Sequence, residues 1–123
     1  MTLPSVIERY LSAYNKGDVA ALVGCVDEGI VFENISNSGP STAIEGREAF
    51  ARLAAEAATM FTSRNQSVRT AVVSGNMVAL EVDWSGTPAN DIGPMKAGVS
   101  VAIRGASFIT ITNGKIVRIV DIS

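Results

Sequence analysis

An aspartate near the end of an apolar, β-rich run is the residue in this sequence that most directly invites a chemical question. Asp121 follows Ile119 and Val120 in the stretch 115–122, which pairs back on 99–112 through Asn113-Gly114. An Asn-Gly pair between two β-rich runs favours positive φ at both central positions and predicts a tight hairpin with a type I′ turn. A carboxyl desolvated among Ile109, Ile119 and Trp84 would have a raised pKa, toward the range useful for acid or base work; the bland alternative is a strand-end aspartate in water or paired with an arginine. Asn34 carries an amide that can hold a water or a ligand carbonyl, or bond its own backbone at a strand end. Tyr10 and Tyr14 are one helical turn apart, so their hydroxyls either enter one cavity together or lie at the surface while the rings pack as core.

These side chains depend on the elements that carry them. Leu3, Ile7, Tyr10, Leu11 and Tyr14 recur at helical spacing before Lys16-Gly17, which predicts a first amphipathic helix over 3–16. Asp18 caps a short second helix, 19 to about 26. Ile30, Val31, Phe32 and Ile35 predict a short strand, and 36–41, with Gly39-Pro40, a loop. A third helix spans 47 to about 61, with Phe50, Leu53, Ala54, Ala57 and Phe61 as its buried stripe. Stretches 68–73 and 77–84 flank Ser74-Gly75-Asn76 as a second hairpin, and 85–98 is a long loop leading to the strand 99–112, in which Gly105 is a candidate bulge. Alternation puts Val99, Val101, Ile103, Gly105, Ser107, Ile109 and Ile111 on one face of that strand, here the inner one. On the returning strand, Val117, Ile119, Asp121 and Ser123 share one face and Ile116, Arg118, Val120 and Ile122 the other. Helices first and a mostly antiparallel sheet afterwards define an α+β domain: three N-terminal helices packed on a long, curved sheet that forms a cone with an internal pocket.

Composition closes off several function classes. The 123 residues suit one domain, and 47% hydrophobic with 18% charged side chains suits a compact globular chain. A net charge of −2 supplies no basic patch for nucleic acid and no polybasic arm for membranes. With no histidine, the Ser-His-Asp and Cys-His triads, haem ligation through histidine and the usual zinc sites are excluded in their standard forms; no metal site and no cofactor are expected. Cys25, the only cysteine, reads as a small buried hydrophobe. The N-terminal residues have no signal-peptide pattern and no apolar run reaches membrane-spanning length, so a cytoplasmic location is expected.

The stretches RYLSAYNKGDVAAL, IVFENI, EGREAF, VDWSGT, VAIRGASFITI and NGKIVRIVD resemble, in order and over nearly the whole chain, the nuclear-transport-factor-2-like superfamily, with SnoaL-like proteins and ketosteroid isomerases as named relatives. The resemblance implies a curved sheet on helices around a mostly apolar pocket, commonly in a homodimer, and it turns Asp121 inward. By position, Tyr10 matches the tyrosine that in ketosteroid isomerases donates to the substrate oxyanion. Asn34 falls where those enzymes place the proton-shuttling aspartate, and Ser107 where they place a protonated aspartic acid. An amide cannot abstract a proton near neutral pH, which argues against steroid isomerisation by that route. The last hairpin also resembles that of limonene-epoxide hydrolases, whose water-activating aspartate Asp121 matches. There FEN retains Asn34 and replaces a tyrosine by Phe32. Glu81 and Asp83 fall near their middle-strand pair, but the apolar parity of Val78, Leu80, Val82 and Trp84 turns both acids outward.

Asp121, Asn34 and Tyr10 are therefore the expected catalytic groups. Helix residues Tyr14 and Leu53 and strand residues Phe32, Leu80, Val82 and Trp84 are expected to line the pocket with them. So are Ile103, Ser107 and Ile119. The expected ligand is an apolar or amphipathic small molecule. Cofactor-independent isomerisation, cyclisation or hydrolysis by acid/base chemistry is one reading, and a non-catalytic ligand-binding or interaction module is the other. Met77, Ala79, Ala102, Ala106, Phe108, Val120 and Ile122 make the other sheet face apolar enough to predict a homodimer there, with Arg104, Arg118, Glu81 and Asp83 pairing across it.

Overall fold

The computed structural model describes residues 2–123. Helix α1 (Ser5–Lys16) buries Val6, Ile7, Tyr10 and Ala13, the stripe that its spacing dictates. It stops at Gly17, whose φ of 68° lets its N–H reach back to the carbonyls of Ala13 and Tyr14. Helix α2 (Val19–Val23) begins where the Ala21 N–H donates to Asp18 Oδ1 at 3.1 Å. Strands β1 (Val26–Ile35) and β2 (Thr42–Glu45), helix α3 (Arg47–Met60) and strands β3 (Phe61–Ser74), β4 (Met77–Pro88), β5 (Val101–Thr112) and β6 (Lys115–Ile122) follow.

The strands form one sheet in the order β2-β1-β6-β5-β4-β3, antiparallel at every step except β1 beside β6. The sheet does not close, so β2 and β3 are its edges. Register breaks in β1, β3 and between β5 and β6 bend it around the helices. Ile7 of α1 packs with Val26, Ile30, Val78, Ile109, Ile116 and Ile119 in the fully buried core. The α+β architecture expected from the order of elements is the one observed.

Several boundaries differ from expectation. Helix α2 ends at Val23, and Val26 already belongs to β1. Strand β2 occupies residues whose mixed composition signalled nothing. Phe61 is not the last buried residue of α3 but the first of β3, with extended backbone (φ −127°, ψ 139°). β3 begins seven residues before the expected 68, because 62–67 is polar and an edge strand with polar side chains has no apolar alternation to detect. β4 continues to Pro88 and takes the first part of the expected loop, whereas Val99 lies outside β5 and is exposed.

The final hairpin turns through Asn113 (φ 51°) and Gly114 (φ 73°), both positive as a type I′ turn requires. The bulge is not at Gly105, which pairs in regular register with Val82; it falls between Thr110 and Ile111. Ile116, expected outward from its parity with Arg118, is consequently fully buried. Gly105 is needed for another reason: a Cβ there would meet the Ile122 carbonyl oxygen at 2.9 Å.

Candidate functional site

Register places Asp121 in a row that crosses the sheet. Leu80 of β4 pairs with Ser107 of β5, Ser107 with Asp121 of β6, and Asp121 with Asn34 of β1. Residues directly opposite in a ladder share a face, so all four side chains leave the same side of the sheet, the side that α1 and α3 cover. The neighbouring row is Val78, Ile109, Ile119 and Phe32, and Trp84 pairs with Ile103 farther along β4 and β5.

The Asp121 carboxyl has one hydrogen bond among the described residues, a short one: Ser107 Oγ–H donates to Oδ1 at 2.6 Å. Its other oxygen has no partner among the described residues and is not sealed away from solvent. The residue is only partly covered by area, but protein crowds the carboxyl on most sides. Burial raises its pKa from the ordinary 3.8 to about 6, against the opposing effect of the Ser107 hydrogen bond.

Tyr10 is deeply buried, 6% exposed, and its ring belongs to the core. Burial, then the charge of Asp121, pushes its hydroxyl well above the usual phenol range, so at physiological pH it can only be a neutral donor. That hydroxyl has no hydrogen-bond partner among the described residues, yet it is not sealed off. One turn on, Tyr14 is half-buried, and its Oη accepts the Trp84 Nε1–H at 2.8 Å. Burial also raises Tyr14, while the Arg64 charge and the Trp84 hydrogen bond hold it down.

The expected site residues thus separate into two groups. Leu80, Val82, Ser107, Ile119 and Tyr10 are buried and form a floor. Tyr14, Phe32, Leu53, Trp84 and Asp121 are partly accessible, Ile103 is 37% exposed, and Asn34 is exposed on the Asp121 row. Phe32 is held edge-on to Phe50 of α3, ring centres 5.8 Å apart. Neither of the two clefts that stand out includes Asp121: one of about 140 Å³ is lined by Arg64 and Gly86 together with Ser63, Ser85 and Ser100, and one of about 610 Å³ runs along the exposed side of α1 and α2. Around Asp121 the inner face is partly accessible.

Glu33, Glu81 and Asp83 leave the opposite face, the last two as their parity dictated. Arg104 bonds Glu81 at 3.0 Å and Asp83 at 2.9 Å, Arg69 bonds Asp83 at 2.8 Å, and Arg118 approaches Glu33 at 3.9 Å. Within one chain these charges pair with one another. Sequence reasoning missed Arg64, whose guanidinium lies 4.0 Å over the Tyr14 ring, and Phe61, which meets Trp84 edge-on at 5.2 Å. The only available signal was that FTSRNQS is a strand, and its polarity concealed that. Among the described residues no group of three or more cysteine, aspartate or glutamate side chains is gathered to hold a metal.

A sequence model of the SnoaL-like domain matches residues 7–119. No curated protein sequence matches the chain significantly. Among solved structures, a Catenulispora acidiphila protein of ketosteroid-isomerase-like fold, in complex with trimethylamine, superposes with a TM-score of 0.81 at 17% identity, covering 98% of this chain and 85% of its own. A candidate polyketide cyclase from Xanthomonas campestris pv. campestris is 26% identical with a TM-score of 0.72, covering 97% and 87%. An LEH-like epoxide hydrolase of M. tuberculosis has a TM-score of 0.76 at 18% identity, covering 97% and 80%.

Proposed function

The chain belongs to the SnoaL-like domain family, and from that premise we propose that it is a cofactor-independent acid/base enzyme for an apolar or amphipathic small molecule, with Asp121 as general base. The observation that carries this reading is a carboxyl with a pKa of about 6, held at one oxygen by Ser107 and open at the other, beside the neutral Tyr10 hydroxyl. At neutral pH such a group is mostly ionised yet more basic than an ordinary aspartate, a good match for taking a proton.

Ser107 orients the carboxylate, so Oδ2 takes a proton from a carbon next to a substrate carbonyl. Tyr10, unable to ionise at this pH, donates a hydrogen bond to the oxyanion that develops on that carbonyl. Asn34, on the same row, supplies an amide to the ligand's polar end. The resulting enolate is reprotonated at another carbon in an isomerisation or attacks a carbonyl in a cyclisation. The names of the neighbouring proteins, a candidate polyketide cyclase among them, support this class of chemistry. The rival, a non-catalytic binding module, is favoured by the incomplete cover over the inner face.

The test is deuterium incorporation into an apolar ketone such as a tetralone, followed by NMR in heavy water. Wild type is expected to catalyse exchange with a rate that rises through about pH 6. Folded Asp121→Asn should lose about a hundredfold or more. Equal exchange by the two proteins would leave the binding module as the reading.

A further inference from the structure

We infer that the site takes an organic anion, a carboxylate on a flat apolar body, with Arg64 as its anion-recognising residue. This rests on the reading of Asp121 above and adds the class of substrate.

Arg64 lies on β3 opposite Gly86, two positions along the strand from Trp84, so it shares the inner face. The other strand arginines, Arg69, Arg104 and Arg118, are spent on Asp83, Glu81 and Glu33 on the outer face. Arg64 pairs with no carboxylate among the described residues. It is half-buried, with its guanidinium stacked 4.0 Å over Tyr14. One Arg64 N–H is a hydrogen-bond donor to Tyr14 that helps to hold its pKa down, and the remaining in-plane N–H groups of a stacked guanidinium are the kind that grip a carboxylate in a bidentate fork.

The surroundings are built to hold that arrangement. Asn15, next to Tyr14, takes the Gln66 N–H at 2.8 Å and donates to the Gln66 carbonyl at 3.1 Å, which clips the end of α1 to the free edge of β3. Trp84 bonds Tyr14 and meets Phe61 edge-on. Its ring folds back over Gly86, where a Cβ would stand 2.5 Å from the ring. Tyr14, Trp84 and the exposed Ile103 then offer an apolar wall beside the guanidinium. Trp84 and Leu80 are four residues apart on β4, roughly 13 Å. A flat molecule anchored at Arg64 and lying on Trp84 would therefore bring its far end toward the Asp121 row.

The test compares two dyes with the same aromatic body, anilinonaphthalene sulfonate and its neutral counterpart phenylnaphthylamine, by quenching of Trp84, the only tryptophan. Wild type should bind the anion more tightly, and added salt should weaken the anion alone. Arg64→Gln should weaken the anion at least about tenfold, the size of one lost hydrogen bond to a charged group, and leave the neutral dye unchanged. Retained neutral binding shows that the variant folds; if Arg64→Gln does not fold, Arg64→Lys decides, with a smaller loss confined to the anion. Arg104→Gln on the outer face should change neither. Equal affinities in wild type, or equal changes for both dyes, would overturn the inference. Failure of Asp121 as base would appear in ketone exchange and leave this dye difference standing.

Discussion

A carboxyl kept partly uncharged by burial leaves a trace in stability as well as in chemistry. The Asp121 pKa is raised from 3.8 to about 6, so folding favours the protonated form. The associated stability is present in full below pH 3.8 and is lost as pH rises through about 6. Asp121→Asn has no charge to bury. It should melt higher than wild type at pH 8, by on the order of 3 kcal/mol at most, and lose that advantage below pH 4. A constant difference across that range would mean that the carboxyl is hydrated. Ser107→Ala tests the one contact opposing the shift. Without the hydroxyl donor the Asp121 pKa should rise further, moving the rise in ketone exchange to higher pH. A limb that stays in place would remove Ser107 from the mechanism.

At the scale of elements, what could be read in the chain was what its side chains repeat. Ile7, Tyr10 and Tyr14 carry the helical period, and Val78 to Trp84 and Ser107 to Ile111 the strand period, so α1, β4 and β5 were legible, and with them the shared face of Trp84 and Ser107. Asp121 needed more, because its strand has apolar residues on both faces and only resemblance to a family chose between them. Arg64 was out of reach: its strand is an edge whose inner side chains, Arg64 and Gln66, are polar, and its partner Tyr14 is far away in sequence. Gly86 likewise has meaning only in three dimensions. Gly86→Ala should push the Trp84 ring off β4, break its bond to Tyr14 and cost about 1–3 kcal/mol. Red-shifted Trp84 fluorescence with lower stability is the expected outcome; unchanged emission would show that the ring has somewhere else to go.

At the scale of the whole molecule, the two faces of the sheet are unequal. Helices α1 and α3 lie against the inner face, and among the described residues no helix packs on the outer one, where Val72 is 60% exposed, Met77 45% and Phe108 40%, with Ala79 between Val72 and Phe108 on one row across the sheet. Six strands make a face roughly 25 Å across and long enough to bury the roughly 800 Å² per partner typical of a stable pair. The ion pairs of Arg69 and Arg104 with Glu81 and Asp83 flank this apolar band, and being satisfied within the chain they cost a partner no unpaired charge. We expect two copies to meet through this face with Phe108 near the middle, which would stiffen the strands that carry Ser107 and Asp121 from behind. Light scattering should then give a dimer at micromolar concentration, and Phe108→Glu should give a folded monomer, since its side chain points away from the core and its loss opens no cavity. A wild-type monomer, or a dimer indifferent to Phe108→Glu, would show that the exposed band serves some other contact.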